Sequence, residues 1–235
     1  LIRQYLQPAH KPFVFVIGGK FYTRHVPEAD LVFYETDEQR EKLRHPGWRF
    51  WRRPVSDERL LRLPKSVDTN HFRPMPDVSK TWDIVSVGRL IGRYKSYDAL
   101  GALADTFDVA VAGDGPAWDM LRTKYPRVDW VGQVPLRDVP AFLNRGRTFM
   151  HAGLNDFFPR VIAEAAACGL PCFAFADAIA EDVIPPGCGR RLPQANYVSP
   201  IREVLADEEL LRSMGANARR YAAESLSKIG RASCR

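Results

Sequence analysis

No uninterrupted apolar run in the 235-residue chain approaches the ~20 residues that a helix needs to cross a bilayer. A membrane-spanning protein is therefore not expected. Cysteine is scarce, at four residues, and the spacings form no paired metal motif. No Ser-His-Asp grouping stands out, so a hydrolase triad has no candidate. Internal repeats, heptads and low-complexity tracts are absent too, which excludes solenoids, coiled coils and long disordered linkers. There is no initiator methionine and no visible signal peptide. The chain opens on Leu1 and is expected to be an internal piece of a longer protein.

The other end has its own expectation. Residues 229–235, I-G-R-A-S-C-R, read as a translated sequencing adapter (ATC GGA AGA GCG TCG TGT AGG), and Lys228 fits the AAG that would precede it. Residues 228–235 are accordingly expected to be a processing scar. Setting them aside removes Lys228, Arg231 and Arg235, taking the formal charge from +6 to +3. A surplus that mild calls for no nucleic-acid partner. Cys168, Cys172 and Cys188 remain, an odd number that predicts reduced, cytosolic thiols.

What is present is an alternation of apolar strands and amphipathic helices. Strands are predicted at 13–18, 29–34 and 60–64, with a helix after Thr36 in a capping-box-like arrangement. Ser66 to Asp77 is rich in proline and polar turn residues and reads either as a linker or as a surface loop. From Trp82 the pattern sharpens. Strands are predicted at 83–87, 107–112, 128–131, 148–151 and 172–175, and helices at 97–105, 117–124, 139–145 and 159–168. Continuously apolar strands separated by helices imply a doubly wound parallel sheet covered on both faces. Residues 197–226 read as C-terminal helices.

In such a sheet, ligands gather at the carboxyl ends of the strands. His151 to Phe175 (H-A-G-L-N-D-F-F-P-R-V-I-A-E-A-A-A-C-G-L-P-C-F-A-F) reads as loop, helix, turn and buried strand. Asn155 and Asp156 suit a helix entry, Pro159 a first turn and Gly169 a stop. The helix N-terminus, with the amides near Phe157 and Phe158, is a natural seat for phosphate. Asp156 before the helix and Glu164 inside it could grip hydroxyls on either side. Alternatively, Asp156 caps the helix and Glu164 is a solvated helix residue. His151 either reaches a ligand or is a satisfied structural histidine. In S-V-G-R-L-I-G-R-Y-K, Gly88 permits close backbone approach, and Arg89 and Lys95 either face a phosphate or are solvated surface charges. In A-G-D-G-P, Gly113 and Gly115 read as turn residues bordering a ligand pocket at the end of a strand. The third glycine of a dinucleotide fingerprint would fall at Trp118, so that motif fails.

The order acid-x-F-P-R-V-I-x-E-A-x-A-x-G-x-P resembles the signature of GT-B glycosyltransferases of the family-4, or group 1, type. Over about residues 60–225 the resemblance implies a Rossmann-like donor domain at 81–227, a linker at 66–80 and a truncated acceptor-side α/β domain at 1–65. It implies transfer of a sugar from a nucleotide-diphosphate-sugar donor to a hydroxyl acceptor (glycan, lipid or small molecule) with retention. Arg89 and Lys95 would hold the diphosphate, Asp156 the donor sugar and Glu164 the ribose. The family usually has Glu where Asp156 stands and a small residue where Phe157 stands. Glu181 matches a family acid but lacks the preceding Gly-Gly, so no role carries over to it. No Asp-x-Asp occurs, and no metal or cofactor is expected. Two other functions stay open: a non-catalytic nucleotide-sugar-binding module and a GT-B-like sugar-nucleotide epimerase. The expected location is cytoplasmic, with room for peripheral membrane contact.

Overall fold

The computed structural model describes residues 12–18, 26–47, 53–92 and 96–227. The expectations for Lys95 and for the tail at 228–235 fall outside them. The chain divides into two compact units, Leu1–Lys65 and Ser66–Arg235.

In the first unit, β1 (Val14–Val16), β2 (Leu31–Tyr34) and β3 (Leu60–Arg62) form a parallel sheet in the order β1-β2-β3. Its helix α1 (Asp37–Arg44) begins at a capping box. Thr36 Oγ1 accepts from the Gln39 amide at 3.3 Å, and Gln39 Oε1 accepts from the Thr36 amide at 3.2 Å. Val32, Tyr34 and Leu43 belong to a core of this unit's own.

The second unit holds a six-stranded sheet in the order β6-β5-β4-β7-β8-β9, in which every neighbouring pair is parallel. The strands are β4 (Trp82–Val87), β5 (Val109–Ala112), β6 (Asp129–Gly132), β7 (Gly146–His151), β8 (Cys172–Phe175) and β9 (Gly189–Leu192). Helices α2 (Tyr97–Leu103), α3 (Trp118–Lys124), α4 (Val139–Asn144) and α5 (Arg160–Ala167) alternate with them. Two more, α6 (Val198–Ala206) and α7 (Glu208–Tyr221), follow, and a π-helical turn closes the run at Ala222–Leu226. Every residue of β5 and β8 is buried, which requires cover on both faces of the sheet. This is the doubly wound class that the alternation implied.

Strand β9 was not expected. Its sequence, G-R-R-L, carries two cations in four residues. It forms at the sheet edge, where Arg190 reaches Glu203 at 2.6 Å and Arg191 reaches the Ala176 carbonyl at 2.7 Å. Residues 66–80 also have tertiary partners. Val67 and Phe72 are buried in the second unit's core, and Val67 bridges Ser227. Buried Asn144 accepts from the Met75 amide at 2.8 Å and donates to the Arg73 carbonyl at 3.0 Å. Arg219 of α7 donates to the carbonyls of Thr69 and Phe72.

Candidate functional site

The strand order turns on β4 and β7. From β4 the chain winds outward through β5 to β6, then returns to lay β7 on the other side of β4. Connections leaving the carboxyl ends of β4 and β7 therefore diverge and open a crevice between them. Gly88 and Arg89 follow β4, Gly113 and Gly115 follow β5, and His151 ends β7. Asp156, Phe157 and Phe158 lie between β7 and α5. The loop residues and His151 thus share one end of the sheet.

The loops after β4, β5 and β6 are tied by main-chain bonds. Gly88 donates to Ala112 O at 3.0 Å, Leu90 to Asp114 O at 2.9 Å, and Gly113 to Gly132 O at 2.7 Å. A β-carbon on Gly113 would collide with the Gly88 carbonyl, and one on Gly115 with the Leu90 carbonyl. Both glycines also have positive φ, +150° and +157°. Their absent side chains let one loop lie directly on the other.

Tyr97, a residue that motif reading passed over, locks the β4 loop from below. Its buried hydroxyl donates to Arg89 O at 2.9 Å and accepts from the Ile91 amide at 3.2 Å. Burial pushes this phenol up to about 12, so it stays a donor across the physiological range. The signal available in the sequence was a tyrosine one residue after a Ser helix start, since a buried phenol needs a partner. The Arg89 side chain is exposed, and among the described residues no carboxylate pairs with it.

The loop before α5 is pinned on two sides. The Asp156 amide donates to Ala178 O at 3.1 Å, and the Ala180 amide donates to Phe157 O at 3.2 Å, so the segment after β8 holds it. Arg191 steadies that segment in turn through Ala176 O and through Glu181 at 3.2 Å. Phe157 and Phe158 are 3% and 1% exposed. Their rings are core, and only their main chain is left to face a ligand. The N-cap of α5 is Pro159, with no side-chain cap. Asp156 therefore does not cap the helix, and its carboxylate lies 3.8 Å from Nε2 of buried His151. That is ion-pair range, longer than a hydrogen bond. Gly153 lies so close to the imidazole that a β-carbon there would collide with it.

Helix α5 is built to sit tightly on the sheet. Ala163, Ala165, Ala166 and Ala167 are all buried, and Glu164 between them is half-buried. It ends in a Schellman motif. Gly169, at φ +78°, donates to Ala166 O at 2.9 Å, and Leu170 donates to Ala165 O at 3.1 Å. At the other end Ile162 donates to Pro159 O at 3.2 Å, the two amides ahead of it have no acceptor four residues back in the helix, and the dipole favours negative charge there.

The family model for glycosyl transferases group 1 matches residues 68–221. The chain belongs to that family. This glycosyltransferase domain is 32% identical over 132 residues to a phosphatidylinositol N-acetylglucosaminyltransferase subunit of Arabidopsis thaliana, covering 49% of the chain and 29% of that protein. The gpi3 subunit of the same transferase in Schizosaccharomyces pombe is 30% identical over 131 residues, covering 49% and 28%. The chain thus spans less than a third of the length of these curated relatives. Among solved structures, HepE of Anabaena in complex with UDP superposes with a TM-score of 0.75 at 16% identity, over 96% of this chain and 71% of that one. The pneumococcal O-GlcNAc transferase GtfA, in complex with UDP and GlcNAc, gives 0.69 at 16%, over 92% and 50%. At these identities the likeness concerns the fold, which is GT-B as the sequence implied.

Proposed function

We propose that the second unit is the donor-binding domain of a retaining glycosyltransferase that moves a sugar from a nucleoside diphosphate to a hydroxyl acceptor. The observation that carries this reading is the convergence of loops at one crevice. Exposed Arg89 after β4 and the N-terminus of α5 after β7 both stand at the point where the strand order reverses, within the residues matched to the family. Arg89 supplies a planar fork of donors, the helix supplies main-chain amides and a positive dipole end, and Lys95 adds a point charge. Together they suit a diphosphate and would stabilise it as it departs. Glu164 accepts the ribose hydroxyls, and Asp156, steadied by His151, accepts from the donor sugar. Retention follows if the acceptor attacks from the face the diphosphate leaves, which needs no protein nucleophile.

UDP-N-acetylglucosamine is the first donor to test, because the relatives are named N-acetylglucosaminyltransferases and the neighbours hold UDP. The acceptor is a glycan, lipid or small-molecule hydroxyl. The protein works in the cytoplasm or against a membrane surface; no helix among the described residues is long and apolar enough to cross one. The 235-residue chain, which spans less than a third of its relatives' length, binds the donor without efficient transfer of its own. Losing a wall of the reaction cleft forfeits positioning worth ~7–11 kcal/mol of the barrier. Calorimetric titration with UDP, GDP and ADP, each with and without sugar, tests the binding. An assay of the full-length gene product then separates transfer from epimerisation or mere binding. Absence of nucleotide binding, or brisk transfer by this chain alone, would overturn the reading.

A further inference from the structure

At the opposite end of the same sheet, by the amino ends of β4, β7 and β8, a cavity of about 710 Å³ opens between residues 74–80, the turn after α5, and α7. Its size lies within the usual range for small-molecule sites. Met75, Leu170 and Leu211 give it apolar walls, and four cations line it against a single carboxylate. That carboxylate, Glu208, is engaged by Arg147, which also holds Asp83 at 3.0 Å. The other three cations have no acidic partner among the described residues. Lys80 donates only to the carbonyls of Asn144 and Gly146, at 2.8 and 2.9 Å. Arg219 donates only to the carbonyls of Thr69, Phe72 and Ala167. Arg212 is exposed and unpaired.

Partly desolvated cations are ordinarily matched by a counter-charge, because carbonyl dipoles satisfy their donors without neutralising them. Desolvation holds the Lys80 ammonium below its ordinary value, with no carboxylate nearby to raise it. Three uncompensated positive charges around an apolar-walled cavity are the complement of an anion that carries carbon on one side. A phosphate monoester fits best: it brings close to two negative charges and three acceptor oxygens. We propose that this cavity is an accessory binding site for an organic phosphate, separate from the crevice at the carboxyl ends. The ester's phosphate would lie among Lys80, Arg212 and Arg219, and its carbon portion against Met75, Leu170 and Leu211. The source of such a group is either a soluble phosphate ester or a lipid headgroup.

Calorimetry on the 235-residue chain with octyl phosphate, inorganic phosphate and 1-octanol tests this. Octyl phosphate should bind about tenfold more tightly than either of the others, a step of ~1.4 kcal/mol. Arg212→Glu removes an exposed side chain with no partner to lose, so the fold persists. It should weaken octyl phosphate by about tenfold, the loss of one charge-assisted contact, and leave UDP affinity as it was. Sedimentation with phosphatidylcholine vesicles, with and without phosphatidic acid, separates the sources. Retention that needs phosphatidic acid and is lost in Arg212→Glu assigns a lipid headgroup, and its absence alongside octyl phosphate binding assigns a soluble ester. Equal binding of 1-octanol or of inorganic phosphate, indifference to Arg212→Glu, or competition with UDP would each overturn the proposal. Failure of UDP to bind would count against the donor crevice and leave this site standing.

Discussion

Gly113 lies against the carbonyl oxygen of Gly88 with no space between them for a β-carbon. The contact joins the loops after β4 and β5, one carrying Arg89 and the other bordering the crevice. Gly113→Ala must both displace that carbonyl and hold an L-residue at φ +150°. The expected cost is about 1–3 kcal/mol of stability, read from the denaturant midpoint, together with weaker nucleoside diphosphate binding. Gly92→Ala, at a glycine with open space around its Cα, is the control and should change stability little.

Glu164→Gln should weaken nucleoside diphosphate binding by roughly 1.5–3 kcal/mol, because a carboxylate accepting ribose hydroxyls becomes a neutral amide. Titration of UDP into both proteins decides it. Unchanged affinity would remove Glu164 from the site.

Asp156→Asn should behave differently. It should leave UDP affinity unchanged and reduce the extra affinity that the sugar confers, by roughly 1 kcal/mol. The comparison to make is UDP against UDP-N-acetylglucosamine in each protein. Equal loss for both ligands would place Asp156 at the nucleotide instead of the sugar.

Tyr97 gives a pH signature. Its folded-state value of about 12 lies above its ordinary 10.0, so the folded protein holds the proton more tightly than the unfolded chain. The stability this confers is complete below pH 10 and is lost as the pH rises from there towards 12. Buried Cys168, held up at about 12 from 9.0 by desolvation, contributes in the same direction from about pH 9. Tyr97→Phe should therefore lose stability at pH 7 yet show a shallower decline between pH 10 and 12 than the wild type. Thermal unfolding across that range measures it, and parallel curves would rule the phenol out.

Removing the first part of the second unit should be costly. Residues 66–227 are expected to unfold at a higher denaturant midpoint than residues 78–227, because the shorter piece loses Val67 and Phe72. Each buried side chain of that kind is worth roughly 1.5–3 kcal/mol. Equal midpoints would mean that the contacts to Ser227, Asn144 and Arg219 contribute nothing.

Much of this was legible without coordinates. The apolar runs at β4, β5, β7 and β8, the Gly169 helix stop and the Thr36 capping box depend on residues within a few positions of one another. Their chemistry is printed locally, and the doubly wound class follows from their alternation. The order of glycines, Arg89, Asp156 and Glu164 was likewise enough to imply the family. Tertiary structure decided the rest. Strand β9 forms from G-R-R-L because an edge position lets both arginines reach out to Glu203 and Ala176, which no hydrophobic pattern announces. Phe157 and Phe158 turn into the core on a loop that the segment after β8 pins, Tyr97 reaches back to bond the Arg89 carbonyl, and His151 comes beside Asp156. Lys80, before β4, and two cations of α7, Arg212 and Arg219, meet at one cavity because tertiary packing brings those segments together. Propensity acts over a few residues and is written in the chain. Which loops and charges become neighbours is fixed by packing between segments up to 160 positions apart, as Val67 and Ser227 are.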